Sequence, residues 1–339
     1  MILFITIFGL LSGLRAPSVG TDTENYARIF LSIGNHGLDF SILNSKYPIY
    51  WLYNYILYHI SDNVQILIFI NAIMIISIMG YSMYRLASDF FLSSLLYITL
   101  YFYFNSMNLS RQFISMGLIV LAVTFLFKKK TKSFWILFLV AVLVHNIAIV
   151  SFPLYFLFKT RWNNIKIGLF LLFTMVISVS YNQIINLFIK IFPQYNLYTQ
   201  NIEGIETLSS QSNGRLMYVY ILYLVLAIIG FVYIVYTNYK IEKEFIFFEI
   251  CVLFSSSMGL LLAQDILINR VLMYYLIFTV FFIPLIIEKI SDTLFQSRIN
   301  TFLSRILLKN GMFFITLIPM TVQLMGNISN VNPYIFFGG

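Results

Sequence analysis

One cysteine in 339 residues, Cys251 in an apolar run, excludes an intrachain disulfide and a cysteine-built metal site. Charge is equally scarce: Asp, Glu, Lys and Arg make up 10% of the chain against 60% hydrophobic residues, and the mean hydropathy is +0.87. A soluble core of this size needs a far larger polar surface, so the composition is that of a polytopic integral membrane protein. No Gly-x-Gly-x-x-Gly follows a strand pattern, which removes a Rossmann-type nucleotide-sugar site. No Asp-x-Asp cluster of oxygen ligands occurs either, which argues against a Mg²⁺-dependent transferase, so no metal and no cofactor is expected. The net charge of +8 lies mostly in short connectors rather than along a basic stripe with stacking aromatics, so nucleic acid is not an expected partner. Residues 1–14 do not read as a signal peptide, since no basic segment precedes them and Arg15-Ala16-Pro17 is no small-residue cleavage site.

What is present is a series of apolar runs: 1–14, 63–84, 90–104, 112–127, 134–158, 166–192, 216–236, 245–262, 271–287 and 312–325. A crossing needs about 20 residues. The first run is about two-thirds of that norm, so either the first helix is short or the start of translation lies upstream. The lysines set the topology. Lys128, Lys129, Lys130 and Lys132, then Lys159 with Arg161 and Lys166, Lys240 with Lys243, and the connector from Lys289 to Lys309 all become cytoplasmic under one condition. The run 134–158 must leave and return, as two short helices meeting at His145-Asn146. The expected architecture is therefore one all-α transmembrane domain over 1–339 with eleven spans, some short or paired. Two long extracytoplasmic loops are expected, 15–62 with tyrosine-rich interfacial helices and 193–214.

Under this topology Arg15, Arg28, Arg111, Arg215 and Arg270 lie opposite ten of the twelve lysines. Arginines that defy the positive-inside bias while the lysines obey it need a reason, and a phosphate or pyrophosphate ligand supplies one through the guanidinium fork. Arg111, Arg215 and Arg270 each open an apolar helix in this reading, where the helix dipole favours the same anion. The bland alternative for any one of them is a headgroup anchor, and Arg28 in its amphipathic stretch suits that best. Arg15 and Asp22 either shape the entrance to the site or pair to fix the turn at 17–21. His145 is a general base or a buried hydrogen-bonding group between short helices, and Asp22 is the other outer-face base candidate. The tyrosines and Trp51 of 47–58 suit an aromatic belt, or a platform for sugar rings.

The string Gly13-Leu-Arg15-Ala-Pro-Ser-Val-Gly20-Thr-Asp22-Thr-Glu-Asn25-Tyr26 closely resembles the opening motif of the EpsG family of polysaccharide polymerases, a branch of the Wzy-type O-antigen and exopolysaccharide polymerases. Asn108-Leu-Ser-Arg111-Gln112 is similar to that family's Arg-Gln element, Val144-His145-Asn-Ile-Ala-Ile to its His-containing turn, and Asn269-Arg270-Val-Leu-Met-Tyr274-Tyr275 to its later Arg and Tyr element. The resemblance implies a glycosyltransferase on the extracytoplasmic face of the bacterial cytoplasmic membrane, joining undecaprenyl-pyrophosphate-linked oligosaccharide repeat units. Arg15, Arg111, Arg215 and Arg270 would bind pyrophosphate, Gln112, Tyr26 and Tyr274 would contact substrate, and His145 or Asp22 would take the acceptor proton. The partners implied are the lipid-linked donor and acceptor, the bilayer, a chain-length regulator and a flippase. A flippase for the same lipid-linked sugar, or a glycan ligase, would use similar residues.

Overall fold

The fold is that of a computed structural model, which describes residues 1–36, 47–191, 203–238, 240–262, 266–294, 298–327 and 329–338. The helices in chain order are α1 (Ile2–Gly13), α2 (Thr23–His36), α3 (Pro48–Ile60), α4 (Val64–Leu86), α5 (Phe90–Thr99), α6 (Phe102–Asn108), α7 (Ser110–Phe127), α8 (Thr131–Val144), α9 (Pro153–Lys159), α10 (Asn164–Val179), α11 (Tyr181–Ile191), α12 (Glu203–Tyr236), α13 (Lys243–Leu261), α14 (Ile266–Leu276), α15 (Thr279–Leu294) and α16 (Arg298–Met325). A 3₁₀ helix, Asn146–Ser151, stands between α8 and α9. Among the described residues no strand occurs, only a lone antiparallel bridge between Arg15 and Phe336. The protein is an all-α polytopic membrane protein.

Among the described residues six segments are long and apolar enough to cross a bilayer, or seven if α5 and α6 form one broken span. Four shorter apolar helices, Ile2–Gly13, Thr131–Val144, Asn146–Lys159 and Asn164–Val179, fall below that length, so the expected count of eleven does not follow from helix length. The expected run 90–104 bends by 56° between α5 and α6. Tyr101 takes the bend with φ 70°, a left-handed conformation that costs a non-glycine residue roughly 1–2 kcal/mol. The expected run 166–192 divides at Ser180 into α10 and α11. The largest departure is α12: residues 203–214, expected in a loop, extend the helix to 34 residues, about 50 Å at the standard rise. No proline interrupts that stretch, and Gly204 and Gly214 cost only about 1 kcal/mol each inside a helix, so the helical segment grows backwards past Gly214.

The chain packs as two compact units, residues 1–154 with 306–339, and residues 155–305. In the first, α1 lies along α4 and α4 along α7, with α8 on α7 and α2 on α3. Small side chains allow the α1 contact, which buries Gly9, Ser12 and Gly13. Asn63 and Asp89 cap α4 and α5 by accepting from the backbone N–H groups of Gln65 and Leu92. At one end of this unit Asp89 also binds Lys309 Nζ at 2.6 Å. The opposite end gathers segments remote in sequence. Gly20 N donates to Asn330 O at 2.8 Å, Ser329 Oγ to Asn105 Oδ1 at 2.9 Å, and Ala16 N to Ile335 O at 2.8 Å. Gly20 sits at φ 100°, and a Cβ there would meet Thr23 Oγ1 at 2.6 Å and Met107 O at 3.0 Å, so the turn accepts glycine alone.

The second unit is built around α13, which packs on α12, α14, α15 and α10. Its interior is aromatic: Phe248 stacks on Phe281 at 5.6 Å, Phe247 meets Phe278 at 5.3 Å and Phe245 meets Phe282 at 5.4 Å. Lys289 pairs with Glu242 and Arg305 with Asp292. These pairs lie in the connectors whose lysines set the expected topology.

Candidate functional site

Arg15 follows the last turn of α1 and is 1% exposed. Its Nη1 donates to Ser12 O at 2.5 Å and to Ser12 Oγ at 3.2 Å, and its Nη2 to Met107 O at 2.7 Å. The bend at Tyr101 aims α6 so that its C-terminal carbonyls face this guanidinium, the helix end where a cation is favoured. Burial lowers the Arg15 pKa to about 10, against the influence of Tyr334 and Tyr103, so the group stays charged at neutral pH. Arg15 therefore ties α1 to α6. Asp22, which precedes α2, is joined to the same α6 end through its backbone N–H, 2.7 Å from Asn108 Oδ1. The motif around Arg15 and the motif around Arg111 are thus fastened together at Met107 and Asn108.

Arg111 is the second residue of α7, at the positive end of the helix dipole as the sequence implies. Its Cζ lies 3.7 Å from the centroid of the Tyr47 ring, 5.5 Å from that of Tyr50 and 5.8 Å from that of Tyr26. Tyr26 comes from α2, Tyr47 immediately precedes α3, and Tyr50 is in the first turn of α3. Tyr26 and Tyr50 are buried, and Tyr50 stands edge-on to Tyr26 at 6.2 Å. His145 ends α8 in an extended conformation, and its ring stacks on Tyr47 with centroids 5.7 Å apart and planes at 28°. The helix of 134–158 therefore breaks at His145, where the sequence reading placed the turn. Gln112 is 2% exposed beside Arg111. Five of the residues singled out from the sequence, Arg15, Asp22, Tyr26, Arg111 and His145, thereby gather at one end of one unit.

Arg270 and Tyr274 belong to the other unit. Arg270 is the fifth residue of α14, one turn from fully buried Tyr274, and its neighbour Asn269 accepts from Tyr220 Oη at 2.6 Å. Arg215 lies twelve residues into α12, and its side chain is outside what the structure describes. Neither Arg215 nor Arg270 opens its helix, so the expected geometry of an arginine at a helix N-terminus holds for Arg111 alone. The dipole's influence fades within the first turn. The reason is the backward growth of α12 past Arg215 and of α14 past Arg270. The loop 193–214 falls partly in residues 192–202, outside the described residues.

Two features escape a reading of the sequence. Tyr47 and Tyr50 read as members of an aromatic belt, and nothing in their spacing distinguishes them from Tyr53, which bonds Asn71 Oδ1 at 2.9 Å, or Tyr58, which bonds Asn35. Glu249 lies in mid-α13, fully buried, with neither carboxylate oxygen hydrogen-bonded among the described residues. It faces Gly230 of α12, where a Cβ would come within 2.3 Å of Glu249 Oε2 and 2.5 Å of Phe282 Cζ. A lone acid in an apolar run was the available signal, since such residues are rare inside membranes. Among the described residues no three or more His, Cys, Asp or Glu side chains group as metal ligands would.

The model of the EpsG family matches residues 1–336. No curated protein matches the chain, and no solved structure does.

Proposed function

The chain belongs to the EpsG family, a Wzy-like polymerase family, and on that premise of polysaccharide-polymerase-type function in a multi-pass membrane protein we propose that it joins undecaprenyl-pyrophosphate-linked repeat units outside the cytoplasm, with Arg111 at the pyrophosphate. The observation that carries this reading is the convergence of Arg111, three tyrosines and His145 where α2, α3, α7 and α8 meet.

The reaction breaks the bond between the donor sugar's C1 and its pyrophosphate oxygen and forms one from C1 to an acceptor hydroxyl oxygen. The electron pair of the broken bond leaves on pyrophosphate, and the hydroxyl proton passes to a base. A guanidinium with a helix N-terminus behind it stabilises the charge that grows on the leaving group. His145, whose ring stacks on the same Tyr47 ring that Arg111 contacts, is taken as the base; Asp22 is fastened to Asn108, three residues before Arg111, and remains the alternative. Arg15 acts in this scheme by position, because its Nη atoms are bonded to carbonyl and hydroxyl oxygens of Ser12 and Met107. Arg270 and Tyr274 are assigned to a second lipid-linked substrate, and Gln112 and Tyr26 to contacts with the sugars. Arginine takes the place of a divalent cation, so product formation should survive added EDTA.

The test is a gel profile of surface and lipid-linked glycan from cells lacking the gene, complemented with wild type or Arg111→Ala at matched expression. Single repeat units outside with no ladder, in both deletion and Arg111→Ala, are the expected result. Repeat units held only inside would mean a flippase. A full ladder in Arg111→Ala would remove Arg111 from the chemistry.

A further inference from the structure

We propose that Tyr47 is the positioning residue of the Arg111 site: its ring holds the Arg111 guanidinium and the His145 imidazole in a single stack, fixing the anion-binding group relative to the candidate base. This rests on the pyrophosphate reading of Arg111.

The geometry separates Tyr47 from the other tyrosines. At 3.7 Å from the ring centroid the guanidinium is in van der Waals contact with Tyr47, whereas 5.5 Å and 5.8 Å leave Tyr50 and Tyr26 as flanking walls. Tyr47 also stacks on His145. Its backbone is anchored for the purpose: its carbonyl accepts from Trp51 N at 3.0 Å as the cap of α3, and Pro48 at the first helical position fixes the chain that follows.

Stacking differs in kind from the way Arg15 is held. Carbonyls restrain Arg15 by bonding its in-plane N–H groups, which are the groups an anion would need. An aromatic ring restrains a guanidinium through its face and takes none of those donors. An aromatic wall is thus a restraint compatible with binding a phosphate. Because His145 lies on the same ring, a change at Tyr47 would disturb a contact of both groups at once.

The experiment measures binding of undecaprenyl pyrophosphate in detergent micelles to the purified full chain, followed by tryptophan fluorescence, together with KM and kcat for a lipid-linked repeat unit. The variants are Tyr47→Phe, Tyr47→Trp, Tyr47→Leu, Arg111→Ala and the Tyr47→Leu/Arg111→Ala pair. Phe and Trp, which keep an aromatic face, should bind within about twofold of wild type, while Leu should weaken binding about tenfold. In the Arg111→Ala background Tyr47→Leu should add nothing, since its effect runs through that guanidinium. A merely structural tyrosine would weaken binding in both backgrounds, would lower the unfolding midpoint of Leu and Phe forms alike, and would overturn the proposal. Wild-type binding and KM in Tyr47→Leu, with Arg111→Ala impaired, would also overturn it while leaving Arg111 in place. Unimpaired binding in Arg111→Ala would defeat the pyrophosphate reading itself.

Discussion

The two units spend their polar residues differently. In residues 1–154 with 306–339, buried and half-buried polar groups at one end bond to one another across long stretches of sequence: Arg15 to Met107, Asp22 to Asn108, Asn105 to Ser329. In residues 155–305 the interior is phenylalanine around α13, and the buried acid Glu249 has no such network. Satisfied networks hold a geometry to a fraction of an ångström, whereas an isolated carboxyl among rings is tolerated only where a glycine makes room for it. The first arrangement suits a site that must position charge for chemistry. The second suits a helix crossing locked by shape.

Arginine substitutions should give the largest contrast. Arg111→Ala is expected to cut polymerisation by roughly 10²–10³-fold, the loss seen when a group stabilising a developing anion is removed. Arg270→Ala should cost about tenfold, because Arg270 lies beyond the first turn of its helix, where the dipole has faded. Rates of ladder growth with purified protein and lipid-linked repeat units check both. The reverse order would move the chemistry to the other unit.

Arg15→Ala addresses stability rather than the reacting atoms. It leaves Met107 and Ser12 oxygens without their donor and opens a cavity at a fully buried position, an expected loss of roughly 2–4 kcal/mol. Thermal unfolding in detergent should show a clear drop in midpoint, with KM of the surviving folded fraction near that of wild type. A normal midpoint with a raised KM would return Arg15 to the list of substrate ligands.

Within the phenylalanine unit, Gly230→Ala is expected to cost about 1–3 kcal/mol by overpacking, since the new methyl meets both Glu249 and Phe282. Glu249→Gln keeps the shape and should change the unfolding midpoint little. Glu249→Ala in the Gly230→Ala background should recover part of the loss, which would identify the pair as an interlock.

How much of this was legible in the chain depends on how local each cause is. Apolar runs, the break at His145 and the grouping of Arg15, Asp22, Tyr26 and Arg111 followed from composition and motif order, because hydrophobic length and short motifs are written in consecutive residues. The starts of α12 and α14 were misplaced, since a polar segment free of proline reads equally as loop or as helix, and packing decides. Tyr47 was hidden for a different reason. Its role comes from residues 64 and 98 positions away, and a tyrosine that stacks on arginine has the same neighbours in sequence as one that faces lipid. Glu249 was missed although a lone acid in an apolar run was there to signal it, and nothing in the sequence pointed to its glycine partner on α12.

The smallest expected effect lies at the far end of the first unit, in the Asp89–Lys309 pair, where the side chains keep 24% and 35% of their exposure. Burial alone would raise the Asp89 carboxyl, but the Lys309 ammonium and the Leu92 N–H outweigh it and hold its pKa below the ordinary aspartate value. A carboxyl whose pKa is depressed by folding adds stability that is fully present above the unfolded-state value near about 4 and is lost as pH falls through the depressed value. Partial exposure limits the contribution to at most about 1 kcal/mol. Asp89→Asn should therefore lower the unfolding midpoint slightly at pH 7, the gap to wild type should shrink as pH falls below about 4, and salt should narrow it at neutral pH. A gap that stays constant with pH and salt would show that the side chain matters as the cap of α5, through Leu92, and that the ion pair with α16 contributes nothing.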